Sequence, residues 1–547
     1  MLLAFKLWAA ASLSDVWPNG RVVRMPAAPA RFPWLIVLIV GSMVTLGTVL
    51  TSGVNQDARY VLGGLDAGWS PFEVWVHRPL AFRLLMAPLS ELPPHPAAEA
   101  AIRLVMVLVA AGAAALLTRG LRDHSQRPKL IGGAVGAALI WAPGWDFAEP
   151  EWWATVLSVA ALGLALRDEP RHALSVRLSH FAFAPALLTV AFLLKLTTGF
   201  TVAVTLGVLL WYRRTRAIAI AARTIAASAL AFVIAVLVSP PELGWLTNMS
   251  TLNPPPSWDR VPDLVEGFAN LALVTPITMV ALAVLIVIAP QRPWLAGGLV
   301  LAAVALAAPF VVQQQNFLYH LAALPVLCAG FVAAAADRGP VLRVAAVAGV
   351  GSAVGGAVLW LFPEGLRDAH WLWAAAAMVL VVLVAVLAGR IPWRWPTPQW
   401  FAVLALLPLL IPVLPQTAYS YSVGHRETTN WDNRQLARPL DLGIEPEVPV
   451  LYLAFDAAYR MPNPSTCQYI SPTWLQRAAD RPAVVETSAY AANLACLANT
   501  EARFAIVETD WFVLEDLQPR VRETVAAHFD CVHPVAAADG FIACPRR

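Results

Sequence analysis

Charge is scarce in this 547-residue chain. Asp, Glu, Lys and Arg make up 13% of it, against about a quarter in an ordinary soluble domain. Lysine is scarcer still: Lys6, Lys129 and Lys195 are three residues among 38 of basic type. A formal net charge of +3 excludes the broad basic surface that a nucleic-acid partner needs. What abounds is apolar: 59% of residues are hydrophobic, gathered in repeated runs of roughly 15–22 residues, the length that crosses a bilayer. Low charge and long apolar runs together imply a polytopic membrane protein.

The runs fall near 34–52, 97–118, 130–145, 152–166, 181–195, 198–212, 217–238, 268–289, 294–312, 321–336, 341–361, 371–389 and 398–415. That is about thirteen transmembrane helices in a membrane domain over 34–415. The opening "MLLAFKLWAAASL" is short for a span and basic residues follow it, so 1–33 is expected to be a cytoplasmic segment and the first span an uncleaved signal anchor. With the N-terminus inside, the inner segments hold 19 Lys and Arg, and the outer loops before residue 416 hold six: Arg59, Arg78, Arg83, Lys195, Arg260 and Arg367. The asymmetry obeys the positive-inside rule and puts the C-terminus outside the cell membrane.

Cysteine usage bears on the same question. Of five, Cys328 lies in an expected span, and Cys467, Cys496, Cys531 and Cys544 all lie beyond 416. An even set in one soluble segment fits an oxidising compartment. "CVHPVAAADGFIAC" reads as a hairpin turning near "AADG", which favours a Cys531–Cys544 bridge and leaves Cys467–Cys496. Residues 416–547 otherwise read as a soluble, extracytoplasmic α/β domain. Apolar strands are expected at 448–456, 482–487 and 503–512, with helices between them and over 517–529. No glycine-rich phosphate loop occurs there.

Ionisable groups at membrane depth are costly and mark function by default. The first outer loop, 53–96, is dense in them: "NQDARYVLGGLDAGWSPFEVWVHRPLAFRLLMAPL" carries Asp57, Arg59, Asp66, Glu73, His77, Arg78 and Arg83. One or two surface helices are expected over 71–90. On the same side fall "GWDFAEPEWW" with Asp146, Glu149 and Glu151, "LLKLTTGF" with Lys195 between two short apolar runs, the Pro- and Trp-rich loop 239–267, and "QQQNFLYHL" with Tyr319 and His320. Each has a plainer reading: interfacial anchoring for the aromatics, snorkelling for Lys195, a helix-end histidine for His320, a wet loop for the acidic cluster. Their convergence on one leaflet favours a site. Cations beside a carboxylate suit a phosphate-bearing substrate, which at that leaflet is a lipid phosphate.

This pattern resembles the GT-C glycosyltransferases, membrane enzymes that use polyprenyl-phosphate-linked sugars. The resemblance rests on "NQDARY" soon after the first span, on "VHRPLAFRLL", on the paired short helices with a central lysine in "LLKLTTGFTVAVTLGVLLWYRR", and on "QNFLYHLAALPVL". It implies a GT-C-like fold, a polyprenyl-phosphate sugar donor, and a glycan or glycolipid acceptor at the outer leaflet of the plasma membrane. The C-terminal domain is similar to that of actinobacterial cell-wall arabinosyl- and mannosyltransferases, and the Arg-over-Lys bias fits a GC-rich genome. By the resemblance, Asp57 or Asp66 is the catalytic base, and His77, Arg78, Arg83, Lys195, Tyr319 and His320 hold the donor phosphate. Many members carry adjacent acidic residues in this loop, whereas Ala58 follows Asp57 here. A lone carboxylate is a poor site for a divalent cation, so no metal ligand is assigned, and a divalent cation stays open as the one cofactor to consider.

Two other classes fit the composition. A transporter or flippase of lipid-linked saccharides is expected to show inverted repeats and midplane polar sites; no internal repeat is evident. A non-catalytic envelope assembly or sensor protein would act through residues 416–547.

Overall fold

In a computed structural model the described residues are 32–51, 53–74, 78–92, 97–143, 147–167, 174–244, 248, 275–313, 318–336, 339–361, 371–391, 404–413, 436–454, 456–470, 473–476, 482–509 and 513–547. Helices α1 (Phe32–Thr51), α2 (Gln56–Asp66), α3 (Leu80–Ser90), α4 (Ala97–Gly120), α5 (Pro128–Trp141), α6 (Pro150–Leu166), α7 (Leu174–Leu193), α8 (Gly199–Tyr212) and α9 (Arg214–Val238) are followed by α10 (Ile277–Ile288), α11 (Pro293–Gln313), α12 (Ala323–Ala335), α13 (Gly339–Leu361) and α14 (Trp371–Gly389). Residues 404–413 continue as a helical turn and a 3-10 segment. All thirteen apolar runs therefore carry helix. Among the described residues, Ala97–Asp123, Arg214–Val238 and Pro293–Gln313 are long and apolar enough to cross a membrane unaided; several other apolar helices are shorter. The expected N-terminal segment lies almost wholly outside the described residues.

Small residues let the helices approach closely, as membrane packing favours. At Gly163 of α6, a methyl group would stand 2.4 Å from the backbone of Leu116 and Leu117, and one at Gly120 of α4 would stand 2.3 Å from the carbonyl oxygen of Gly163. Only glycine permits this crossing. It packs the C-terminal ends of α4 and α6 against each other.

Helix α2 was not expected from the apolar pattern. Asn55 explains it: its side-chain oxygen accepts the Asp57 amide at 2.8 Å, an N-cap, and Asp57 in the first turn complements the helix dipole. The surface helix expected over 71–90 is α3, with turns rather than helix over 71–73.

The C-terminal domain contains β1 (Val450–Leu453), α15 (Ala457–Arg460), α16 (Thr473–Gln476), α17 (Ser488–Ala498), β2 (Phe504–Glu508), α18 (Pro519–His528), β3 (Ala536–Ala538) and β4 (Phe541–Pro545). The sheet order is β1-β2-β4-β3, parallel between β1 and β2 and antiparallel elsewhere. Cys467 is bridged to Cys496 and Cys531 to Cys544. Strand β1 is buried throughout, and its alternation divides two cores. Val450 and Tyr452 join the core shared with the helical domain, while Leu451 and Leu453 join the domain's own core with Val521 and Val525 of α18.

The strand expected at 482–487 is instead a 3-10 turn, Pro482–Glu486. Pro482 cannot donate to a ladder. The turn closes with the Thr487 amide on the Val484 carbonyl, and Thr487 then caps α17 through its hydroxyl.

Candidate active site

Two short breaks in the helical pattern present polar side chains to the first loop. Lys195 has extended backbone between α7 and a 3-10 turn, Leu196–Thr198, that leads into α8. The carbonyls freed by the break are satisfied locally, because the Thr198 hydroxyl reaches the Ala191 carbonyl at 2.6 Å, as an interruption at membrane depth requires. The second break follows α11, where the 3-10 turn Leu318–Leu321 carries Tyr319 and His320.

Between them stands the start of α6. Glu149 is its N-cap residue, Pro150 its first residue, and Glu151 lies in its first turn, where carboxylates are favoured. The preceding Ala148 is buried and has φ 72°, a left-handed conformation that costs an alanine energy.

The geometry is a chain of opposite charges. Arg78 Nη2 donates to Asp57 Oδ2 at 2.5 Å and stands 3.6 Å from Glu149 Oε2. Glu151 Oε1 accepts from Lys195 Nζ at 2.7 Å and from His320 Nδ1 at 2.9 Å. Gln313 Nε2 is 3.2 Å from the same His320 nitrogen. That nitrogen cannot give its proton to Glu151 and also accept from Gln313; the carboxylate is the stronger partner. Tyr319 packs edge-on against His320 and lies 5.3 Å from Lys195 Nζ, a cation–π contact. Asp57 and Lys195 are the more open groups, with 20% and 13% of their side chains exposed, against 7% for Arg78 and 0% for His320.

Of the residues expected at the site, Asp57, Arg78, Lys195, Tyr319 and His320 come together. Asp66 does not. Nine residues along a helix are half a turn out of phase and roughly 13 Å distant, so it points away from Asp57 at the exposed end of α2. Desolvation, then repulsion from Glu91, pushes its carboxyl up to about 7; since the residue as a whole is exposed, water screens much of that effect. Arg83 is also committed elsewhere, to Glu242, whose other oxygen accepts the Leu80 amide at 3.0 Å and so caps α3. His77 and Asp146 lie outside the described residues.

The sequence pattern anticipated one carboxylate among several cations. Among the described residues the cluster holds three carboxylates, Asp57, Glu149 and Glu151, and two cations, Arg78 and Lys195. Glu149 and Glu151 were visible only as part of an acidic loop, and Gln313 only as one of a glutamine run. Among the described residues, no group of three or more His, Cys, Asp or Glu is placed to hold a metal ion.

No family model and no curated protein matches the sequence. Among solved structures, ArnT from Cupriavidus metallidurans bound to undecaprenyl phosphate aligns over 94% of this chain and 98% of its own, with a TM-score of 0.52 at 17% identity. ArnT in the apo state covers the same shares with a TM-score of 0.47 at 17% identity. An Archaeoglobus fulgidus oligosaccharyltransferase in complex with zinc and sulfate scores 0.36 at 10% identity, over 90% of this chain and 71% of its own; these two scores are too low for a shared fold to follow. Identity at this level speaks to fold alone, and the fold is that of ArnT, a largely helical domain followed by a small sheet domain.

Proposed function

We propose that the protein is an integral-membrane glycosyltransferase that moves a sugar from a polyprenyl-phosphate donor to a cell-envelope glycan or lipid acceptor on the extracytoplasmic side. The observation that carries this reading is the juxtaposition of Asp57, the most open carboxylate of the cluster, with Lys195, its most open cation, at one end of a helical membrane domain. The fold of ArnT, seen with undecaprenyl phosphate bound, supports a lipid phosphate as the donor's leaving group. The distribution of Lys and Arg between loops supports an outward-facing site and C-terminal domain.

In this reading Asp57 takes the proton of the acceptor hydroxyl as that oxygen attacks the anomeric carbon. The bond from that carbon to the phosphate oxygen breaks, and the polyprenyl phosphate leaves with the electron pair. Lys195 holds the departing charge, exchanging Glu151 for phosphate, while His320 and Tyr319 line its flank. Arg78 orients Asp57. Arabinose and mannose are the first sugars to test, on the resemblance in the sequence.

The deciding experiment is transfer from a polyprenyl-phosphate sugar by purified protein and by Asp57→Asn. Loss of product in the folded variant is expected, and Lys195→Ala is expected to raise the donor KM more than the acceptor KM. A folded Asp57→Asn with full activity would overturn the assignment. Translocation of the lipid-linked sugar without a covalent product would turn the reading toward a flippase.

A further inference from the structure

The face of α2 turned away from Asp57 is gripped by the C-terminal domain. At 100° per residue, Arg59 stands about 200° from Asp57, and Arg59, Gly63 and Ala67 form a stripe spaced i, i+4, i+8. Each stripe position is engaged. The Arg59 guanidinium donates to buried Glu99 of α4 at 2.6 and 3.2 Å and stands 3.8 Å from Asp456. Glu99 also accepts the Ala437 amide at 2.6 Å, so one carboxylate ties α2, α4 and the C-terminal domain together. At Gly63 a methyl group would meet the Tyr459 amide nitrogen at 2.5 Å and the Ala458 carbonyl carbon at 2.8 Å, so α15 lies directly on the helix backbone. The Ala67 carbonyl accepts the Ser465 amide at 3.0 Å, and Trp69 Nε1 donates to the Ser465 carbonyl at 3.2 Å. Ser465 lies two residues before Cys467, which the bridge to Cys496 fixes within the domain.

We propose that the C-terminal domain is a positioning part of the active site: through the Arg59–Glu99–Asp456 cluster and the contact of α15 with Gly63, it sets where Asp57 stands on the opposite face of α2. Arg59, Glu99, Asp456 and Gly63 are positioning residues. They touch neither the donor nor the acceptor and act through Asp57. The proposal rests on the reading of Asp57 as the base. A rigid eleven-residue helix transmits a displacement of one face to the other, and misplacing a reacting group by about 1 Å can cost about 10²-fold in rate.

The test uses the full-length protein in detergent and a radiolabelled polyprenyl-phosphate sugar. Glu99→Gln and Gly63→Leu are measured alone and combined with Asp57→Asn. Each alone should lower kcat by about 10²-fold and leave the donor KM unchanged. Combined with Asp57→Asn, neither should lower the residual transfer further, because the group they position is gone. A merely structural role predicts an equal further loss in both backgrounds, and that result overturns the proposal. If Asp57→Asn is inactive but Gly63→Leu keeps its kcat, the clasp falls and the base assignment stands. Full activity of Asp57→Asn removes both. Should Gly63→Leu fail to fold, Asp456→Asn, which deletes a charge and adds no bulk, is read by the same kcat-against-KM split.

Discussion

Glu151 is the hinge of the charge chain, and replacing it by glutamine tests whether the cluster is coupled. One of its oxygens serves Lys195 at 2.7 Å and His320 at 2.9 Å, with the glutamate side chain 4% exposed. Two unit charges at that separation attract by about 6 kcal/mol in an effective dielectric of about 20. Desolvation offsets most of this attraction. What the substitution exposes is the other side of the balance: a buried ammonium without its carboxylate, which costs about 3–5 kcal/mol. Glu151→Gln should therefore lower the unfolding free energy by about that amount, read as the shift of a denaturant titration of the solubilised protein. Lys195→Met alone should also destabilise, because Glu151 then retains only His320. The double variant removes both charges, so its loss should fall short of the sum by about 1–3 kcal/mol. If the two losses add within about 0.5 kcal/mol, Lys195 and Glu151 do not depend on each other, and the coupled cluster described above is wrong.

Three further outcomes follow from other parts of the fold. Asp66→Asn should leave transfer within a few-fold of the unaltered enzyme, since Asp66 lies on the far face of α2 from Asp57; a loss as deep as the 10²–10⁴-fold expected of a missing base would exchange the two roles. Gly163→Val should destabilise the protein and lower activity, because the added carbons would enter the Leu116–Leu117 backbone at 2.4 Å; an unchanged unfolding midpoint would contradict the close crossing of α4 and α6. Serine at both Cys531 and Cys544, which lie 13 residues apart, should lower stability by about 3 kcal/mol without altering the donor KM; a donor-binding defect would link the hairpin to the site.

The helical scaffold was legible because the signal for it is long. An apolar run of bilayer length survives errors of several residues at either end, and every run carries helix. Short elements fared worse, each for a local reason. Helix α2 hides its cap in "NQD", where charge density draws attention away from the Asn55–Asp57 pairing. "PAVVET" is apolar and β-branched enough to read as a strand, yet its leading proline and its closing threonine cap decide for a 3-10 turn. The hairpin over 536–545 was readable because its turn, Asp539–Gly540, combines two residues that accept positive φ.

Site residues divide along the same line. A lysine at membrane depth, or a Tyr-His pair opening a span, stands out against its own neighbours. A carboxylate in a polar loop does not, and Glu149 and Glu151 declare themselves only when α7, α8 and α11 bring Lys195 and His320 against them. The same holds for Glu242, which follows α9 and pairs with Arg83, and for Glu99, which lies in the first turn of α4 and pairs with Arg59. In each case the partner lies 40 or more residues away in the chain. Pairs of this kind engage Arg78 and Arg83, two of the cations that the sequence pattern offered to a phosphate. Among the described cations, Arg59 and Arg83 hold α2 and α3 and Arg78 pairs with Asp57, while Lys195 is the most open of the four. Donor phosphate affinity should therefore fall far more with Lys195→Ala than with Arg83→Ala, whose cost should appear in unfolding and not in donor KM; a reversal of that order would mean that Glu242 releases Arg83 when donor binds.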